Sequence, residues 1–385
     1  MKSEGFRGRY DSGLITPSAF FRIPSVLREV IGCDSIVVGH DPRPSSEALY
    51  QALIDGACQA GIRVFAAGIT PTPMLSKWAI RQNILGLMVT ASHNPVLDNG
   101  LKLLGCAPLT KSQCSLIEVL LKQDVTLKGF KTSQTAVSDA VKEDYYNQLK
   151  HLRIQRKLSC VIDSAHGAWY PHLDILSQLG ISIEETELYN PHLINTSGAL
   201  HTNMHLKSNA DYVICFDGDG DRLQLVRQGI VLDGDDMLYH LAKNQRSSVV
   251  TTVMANETLI EALAHQNIFV ERVDVGDHHV RERLKQLNAR VGAEPCGHIL
   301  DLNWLPTSDP VYSFVYMMQY GDIQPLENKR YQYQMTLPNS HDIHQLKVKL
   351  SARRVRTVIR YSQTEPVIRV LLEGEKARVL ECIAD

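Results

Sequence analysis

Ser35-Ile36-Val37-Val38-Gly39-His40-Asp41-Pro42-Arg43-Pro44 passes from a short apolar run into a polar turn, and the segment beyond that turn decides the fold class. Val38 and its neighbours read as a buried strand. Residues 45–60 have apolar positions at helical spacing, with Ser45 or Ser46 placed as a cap and Glu47 in the first turn. Gly61 ends that helix. Residues 63–67 and 86–90 are again strand-like, with a helix over 74–82 between them. Strand, helix, strand, helix in this order predicts a mostly parallel sheet with helices on its faces.

The same order recurs twice. Residues 160–163 form a predicted strand, 170–179 a helix and 181–187 a further strand. Residues 249–253 open a third unit, with helices over 257–265 and 277–287. The tail differs. Strands over 331–337, 356–361 and 367–372 around one helix predict a small α+β module. The expectation is an α/β protein of three similar mixed α/β domains, 1–138, 139–236 and 237–328, followed by a smaller α+β domain, 329–385.

At the end of the apolar run Tyr212-Val213-Ile214-Cys215-Phe216 stands Asp217-Gly218-Asp219-Gly220-Asp221-Arg222. Three carboxylates at alternate positions repel one another unless a cation neutralises them, and an oxygen-only set suits a hard divalent ion such as Mg²⁺. The glycines allow the tight turn that lets alternate side chains converge. Arg222 adds a fixed cation suited to a phosphate oxygen. An EF-hand loop is excluded, because its sixth and twelfth places, counted from Asp217, hold Arg222 and Gln228 instead of Gly and Glu. A solvated acidic turn is the competing reading, and the apolar segments on both sides oppose it.

Composition narrows the function classes. A chain of 385 residues with 21% charged residues and a net charge of −2 gives no reason to expect nucleic acid or an anionic membrane as partner. No apolar stretch is long enough to span a bilayer, and the first residues lack the core of a signal peptide. Eight scattered cysteines without C-x-x-C spacing read as reduced thiols. A cytoplasmic protein is expected.

Thr90-Ala91-Ser92-His93-Asn94-Pro95 also ends an apolar strand, where ligands of open α/β sheets gather. Ser92 is not a nucleophile elbow, since G-x-S-x-G is absent. A phosphoryl-carrying serine and a plain Ser/Asn/Pro turn both remain open on these residues alone.

Taken together, this segment, Asp98-Asn99-Gly100-Leu101-Lys102, and D-G-D-G-D-R resemble the α-D-phosphohexomutase superfamily. Gly292-Ala293-Glu294-Pro295-Cys296-Gly297-His298-Ile299 resembles its sugar-recognition loop, and 360–369 resembles its C-terminal phosphate loop. Gly5-Phe6-Arg7-Gly8, Ile15-Thr16-Pro17 and Val275-Gly276-Asp277-His278-His279-Val280 are most similar to the phosphoglucosamine mutases within it.

The resemblance implies four domains around a central cleft, and a mutase that interconverts glucosamine 6-phosphate and glucosamine 1-phosphate through a sugar 1,6-bisphosphate. Phosphomannomutase or phosphoglucomutase activity is the alternative, or a degenerate sugar-phosphate binder with little turnover. It implies Ser92 as phosphoserine, and Mg²⁺ held by Asp217, Asp219, Asp221 and that serine's phosphate. Lys102 and Arg7 become active-site cations, and His298 an aid to proton transfer. Arg222, Glu294, Cys296 and His298 contact substrate, while Arg360, Ser362, Gln363, Thr364 and Arg369 hold the non-reacting phosphate. The partner is a hexose or hexosamine phosphate, and the protein a monomer or homodimer. Asp41 and Arg43 are expected to be structural loop residues, His40 and His93 not to be ligands, and Asp163 and His166 to carry no chemistry.

Three positions depart from the family pattern: Pro295 where Gln is usual, Cys296 where Ser is usual, and Gln363 where Gly is usual. Cysteine is a poor donor, proline removes one, and the chain is shorter than typical members.

Overall fold

A computed structural model describes residues 5–105, 109–122, 133–338, 355–361 and 367–384, with isolated positions at 343 and 350. The chain divides into two compact units. One comprises residues 1–231, 296–298 and 304–321; the other comprises 232–295, 299–303 and 322–385.

The first unit contains two sheets. The larger is built from β1 (Gly5–Arg9), β2 (Ser35–His40), β3 (Arg63–Ile69), β4 (Leu85–Val89), β5 (Asp98–Leu104) and β6 (Gln134–Ala136), in the order β1-β5-β4-β2-β3-β6. β2 pairs in parallel with β3 and β4, whereas β5 runs antiparallel to both β4 and β1. Helix α1 (Pro17–Ile31) starts at Thr16, whose hydroxyl accepts from Ala19 N–H, and stops at Gly32 in the left-handed region. It packs with α2 (Ser46–Gln59) through a core that includes Phe20, Leu27, Leu49, Leu53, Ile36 and Val38. Burying each such side chain contributes about 1.5–3 kcal/mol.

The second sheet of this unit comprises β7 (Leu158–Asp163), β8 (Ile181–Thr186), β9 (Tyr212–Cys215), β10 (Gln224–Arg227) and β11 (Ile230–Leu232), in the order β11-β10-β9-β7-β8. The helix expected over 170–179 is a single 3₁₀ turn, Tyr170–His172, followed by the short α-helix Asp174–Gln178. Pro171 stands in the first turn, where its missing N–H is tolerated.

In the second unit, β12 (Val249–Thr252), β13 (Val270–Val273), β14 (Val291–Ala293) and β15 (Ile299–Asp301) form a sheet ordered β13-β12-β14-β15. Asp277–Leu287 is helical, as its spacing predicts, and packs Val280 and Leu284 against Val250. A three-stranded antiparallel sheet is formed by β16 (Tyr331–Pro338), β17 (Arg356–Tyr361) and β18 (Val367–Gly374), with β18 central.

One topology appears three times. In β5-β4-β2-β3, β10-β9-β7-β8 and β15-β14-β12-β13, an inner strand is followed by an antiparallel return strand at its side. The turn between that inner strand and its return strand carries, in succession, Ser92, the three aspartates and the Glu294–His298 segment. Parallel pairing predominates in the first and third sheets, as expected, and each of the three adds an antiparallel return strand. A return strand only a few residues away cannot make a parallel crossover, which needs a dozen or more residues. Among the described residues no helix is long and apolar enough to cross a membrane, and the seven described cysteines are free thiols.

Candidate active site

All the site side chains placed together here belong to the first unit. Asp217 follows β9 and its backbone carbonyl accepts Gly220 N–H at 3.0 Å, closing a turn. Its Oδ1 accepts the amides of Asp221 (3.1 Å) and Arg222 (3.2 Å). Gly220 has φ +71°, and a Cβ there would lie 2.4 Å from the indole of Trp169, so only glycine fits. The turn aims the three carboxylates inward, with oxygens within 4.8 Å of one another and all three residues buried. Thr72, which opens helix α3 (Thr72–Gln82), donates its hydroxyl to Asp219 Oδ2 at 2.6 Å and its N–H to the Asp219 carbonyl at 2.9 Å. The positive end of that helix thus faces the cluster.

Ser92 reaches the same cluster from the turn between β4 and β5. Its Oγ lies 3.1 Å from Asp217 Oδ2, and it holds φ +53°. A non-glycine residue in that conformation costs roughly 1–3 kcal/mol and needs support from its surroundings. Support comes from both flanking peptides. Ser92 N–H donates to Thr90 Oγ1 at 2.7 Å, and Thr90 donates to Asp41 Oδ2 at 2.6 Å. The Ser92 carbonyl accepts from Arg43 Nη2 at 2.7 Å and Asn195 Nδ2 at 2.8 Å. Asp41 and Arg43, expected as structural loop residues, hold the serine loop from beneath.

Lys102 lies on β5, where Gly5 of β1 is its register partner and Arg7 is opposite Gly100. Its ammonium contacts Asp219 Oδ2 at 2.5 Å and Asp221 Oδ2 at 2.6 Å. Burial lowers the lysine pKa, but the two carboxylates outweigh that effect and raise it above the ordinary lysine value. Arg7 is exposed on β1.

His298 belongs to this group. Gly297 has φ +99°, a Cβ there would meet the Leu223 carbonyl at 2.2 Å, and Leu223 N–H donates to the Gly297 carbonyl at 2.9 Å. His298 Nε2 is 3.1 Å from Asp221 Oδ1 and 3.3 Å from Arg222 Nε. When protonated it donates to Asp221; when neutral it accepts from Arg222. Burial disfavours the cation, but the Asp221 carboxylate prevails and holds the imidazole pKa well above its usual value. Burial likewise opposes the charge of Asp221, yet Lys102 and His298 keep its carboxyl well below the usual range. Cys296 is exposed, its Sγ 3.9 Å from His298 Nδ1.

Sequence reasoning missed the place of His93. Its Nδ1 accepts from Arg222 Nη2 at 2.7 Å, and burial with the nearby guanidinium pushes its pKa down to about 2. It is a neutral acceptor that orients Arg222. Asn195 and Thr72 were also missed, since each acts across more than a hundred residues of sequence. Asp163, expected to carry no chemistry, is engaged within its own loop. It accepts from Ala165 N–H, Ser197 Oγ, Gly198 N–H and His205 Nε2 and ties its own loop together.

A divalent cation fits the three aspartates. Asp219 Oδ1 is buried without a hydrogen-bond partner. Burial and repulsion by Asp221 and Asp219 push the Asp217 carboxyl up to about 6, as expected of a cluster with too little positive charge. The donors are hard carboxylate oxygens, the set Mg²⁺ takes.

The remaining predicted residues belong to the second unit or fall outside the described residues. Glu294 is buried in the second unit and accepts Gly276 N–H at 3.0 Å. Arg360 and Arg369, also in that unit, are register partners across β17 and β18 and so share one face of the sheet. Ser362, Gln363 and Thr364 lie outside the described residues.

Family models for phosphoglucomutase/phosphomannomutase α/β/α domains I and III match residues 1–126 and 232–324. A phosphoglucosamine mutase of Psychromonas ingrahamii is 30% identical over 97% of this chain and 95% of its own. That of Pseudoalteromonas translucida is 31% identical over 98% and 94%. The chain belongs to the α-D-phosphohexomutase superfamily. Within it, the phosphohexomutase described here sits with the phosphoglucosamine mutases and is an enzyme of the isomerase class. Solved structures agree with this fold. A phosphoglucomutase/phosphomannomutase family protein of Burkholderia thailandensis superposes with TM-score 0.80 at 20% identity, covering 100% of this phosphohexomutase and 95% of its own chain. The N-acetylphosphoglucosamine mutase of Aspergillus fumigatus, in complex with GlcNAc-6P and magnesium, gives 0.64 at 16% over 99% and 93%.

Proposed function

We propose that this phosphohexomutase interconverts glucosamine 6-phosphate and glucosamine 1-phosphate, with Ser92 carrying the transferred phosphoryl group. The observation that carries the reading is the buried Ser92 hydroxyl 3.1 Å from Asp217, beside three carboxylates suited to a divalent cation. Phosphoserine Oγ loses its phosphoryl group to the free hydroxyl of the bound sugar phosphate, giving a sugar 1,6-bisphosphate. After the bisphosphate turns over, its other phosphoryl group returns to Oγ.

Mg²⁺, held by Asp217, Asp219 and Asp221, supplies charge neutralisation for the phosphoryl group when bound. Lys102 and Arg7 add positive charge where the transferred oxygens develop negative charge. The attacking hydroxyl must shed a proton. His298, which has Asp221 and Arg222 as partners, and Lys102 are assigned to that transfer. The aspartates hold both charged, so either would accept the proton only where a cation on those carboxylates relieves that hold. Arg222, Glu294, Cys296 and His298 are assigned to substrate. Arg360 and Arg369 are assigned to the distal phosphate with Ser362, Gln363 and Thr364. The register Arg360↔Arg369 sets both on one face of the sheet, which supports assigning them to one phosphate. The domains proposed are 1–138, 139–236, 237–328 and 329–385. The protein is taken to act in the cytoplasm on amino-sugar phosphates, as a monomer or homodimer, with neither nucleic acid nor membrane as partner.

The test supplies glucosamine, glucose and mannose 6-phosphates separately, with Mg²⁺ and a trace of sugar 1,6-bisphosphate. Fastest isomerisation of glucosamine 6-phosphate is expected. Preference for glucose or mannose would reassign the substrate and point to Pro295 and Cys296 as the cause. Release of inorganic phosphate, or binding without isomerisation, would reject the mutase reading.

A further inference from the structure

Asn195 lies in an irregular stretch between β8 and β9, and the reaction assigned above makes no use of it. The residue is buried and its backbone adopts φ +64°. Its amide is fully engaged. Nδ2 donates to the carbonyls of Ser92 (2.8 Å) and Asn94 (3.2 Å), while Oδ1 accepts Gly218 N–H at 2.8 Å. The two partners on one side are acceptors and the partner on the other is a donor, so only one orientation of the amide satisfies all three.

One side chain therefore joins the serine loop to the aspartate loop. The contact is close enough to dictate Gly218. A Cβ there would lie 2.8 Å from Asn195 Nδ2 and 2.9 Å from the Ser92 carbonyl. Arg43 works differently: its guanidinium bonds carbonyls within the serine loop alone, at Ser92, Asn94, Pro95 and Asp98. Arg43 shapes that loop, whereas Asn195 sets where it stands relative to the carboxylates.

We propose that Asn195 is a positioning residue that clamps the Ser92 loop to the Asp217–Asp221 loop and keeps Ser92 Oγ at the carboxylate cluster. The proposal rests on the reading of Ser92 as phosphoryl carrier. A displacement of about 1 Å in a reacting group costs on the order of 10²-fold in rate. Asn is suited to the place because it tolerates a positive φ while offering both a donor and an acceptor.

Two variants isolate the clamp. Asn195→Gly keeps the backbone conformation and removes the amide. Asn195→Asp keeps the shape and the acceptor for Gly218, but turns a carboxylate oxygen toward two carbonyls. Hydrogen exchange of peptides spanning 90–98 and 217–222 is read by mass spectrometry in the full chain, together with kcat, KM and phosphoryl uptake at Ser92. Both variants are expected to lose protection about tenfold or more over 90–98, with peptides from β2 and α2 unchanged. The kcat should fall about 10²-fold with KM within about twofold. Unchanged exchange over 90–98 in both variants would overturn the proposal. So would faster exchange spread evenly through the first unit, which would mark ordinary destabilisation. If wild-type protein neither isomerises a sugar phosphate nor takes up phosphoryl at Ser92, the functional reading fails instead, and the exchange measurement alone decides the clamp.

Discussion

Arg43→Lys is the substitution whose consequence is fixed most fully by the structure. The Arg43 side chain has no exposed surface, and its guanidinium makes five contacts. Nε donates to Asp41 Oδ2 at 2.9 Å, Nη2 to Ser92 O and Asn94 O at 2.7 Å each, and Nη1 to Asp98 O at 3.0 Å and to Pro95 O. A lysine ammonium has three donors on one atom and cannot span that fan. If it keeps Asp41 and two carbonyls, two charged hydrogen bonds are lost at buried acceptors. At about 1.5–3 kcal/mol each, the expected loss is about 3–6 kcal/mol. That is a large part of the roughly 5–15 kcal/mol typical of a domain. All three tryptophans, Trp78, Trp169 and Trp304, lie in the first unit, so urea unfolding followed by tryptophan fluorescence reports on the unit that contains Arg43. Arg81→Lys is the control. Arg81 is half exposed and pairs with Asp144, so its loss should cost under about 1 kcal/mol. If Arg43→Lys shifts the unfolding free energy no more than Arg81→Lys does, the claim that this network holds the serine loop is wrong.

Three further outcomes are expected. Gly220→Ala places a methyl group 2.4 Å from the Trp169 indole at φ +71°, and should cost about 2–4 kcal/mol with an altered tryptophan emission spectrum; a wild-type spectrum and midpoint would contradict the packing. Burial raises the Asp163 carboxyl pKa, but bonds from His205, Ser197, Ala165 and Gly198 outweigh it and leave the value lowered. Its contribution is therefore complete above the unfolded value of about 4 and is lost as pH falls through the lower folded value. Asp163→Asn should be less stable at pH 7 yet lose less stability than wild type between pH 5 and the acid limb, checked by denaturant titration at each pH. Saturating Mg²⁺ should raise the melting temperature of wild type but not of Asp219→Asn, since the buried Asp219 Oδ1 has no other partner; an equal rise in both would remove Asp219 from the metal site.

Local patterns in the sequence were legible where burial is continuous. The helix Asp277–Leu287 and the strand at Ser35–His40 follow directly from apolar spacing and from flanking turn residues. The carboxylate cluster was legible as well, because alternate aspartates separated by glycine restrict what the turn can do. The return strands β5, β10 and β15 carry only brief strand signals, such as Leu223-Gln224-Leu225-Val226 at β10. They are short, come directly after turn-forming residues, and owe their existence to pairing with an inner strand rather than to their own periodicity. Tyr170–His172 looked helical by spacing and forms a single 3₁₀ turn instead. Asn195 carries no local signal at all. Its role arises from partners at Ser92 and Gly218 that the fold brings to it, and nothing in the residues beside it requires an amide.

The most direct test of the central claim is the mass of the peptide bearing Ser92. After incubation with a sugar 1,6-bisphosphate and Mg²⁺, that peptide should gain one phosphoryl group, and glucosamine 6-phosphate should then remove it with formation of glucosamine 1-phosphate. Ser92→Ala should take up none and should lose turnover by at least about 10³-fold. Full turnover by Ser92→Ala, or a phosphoryl group found on another residue, would contradict the account.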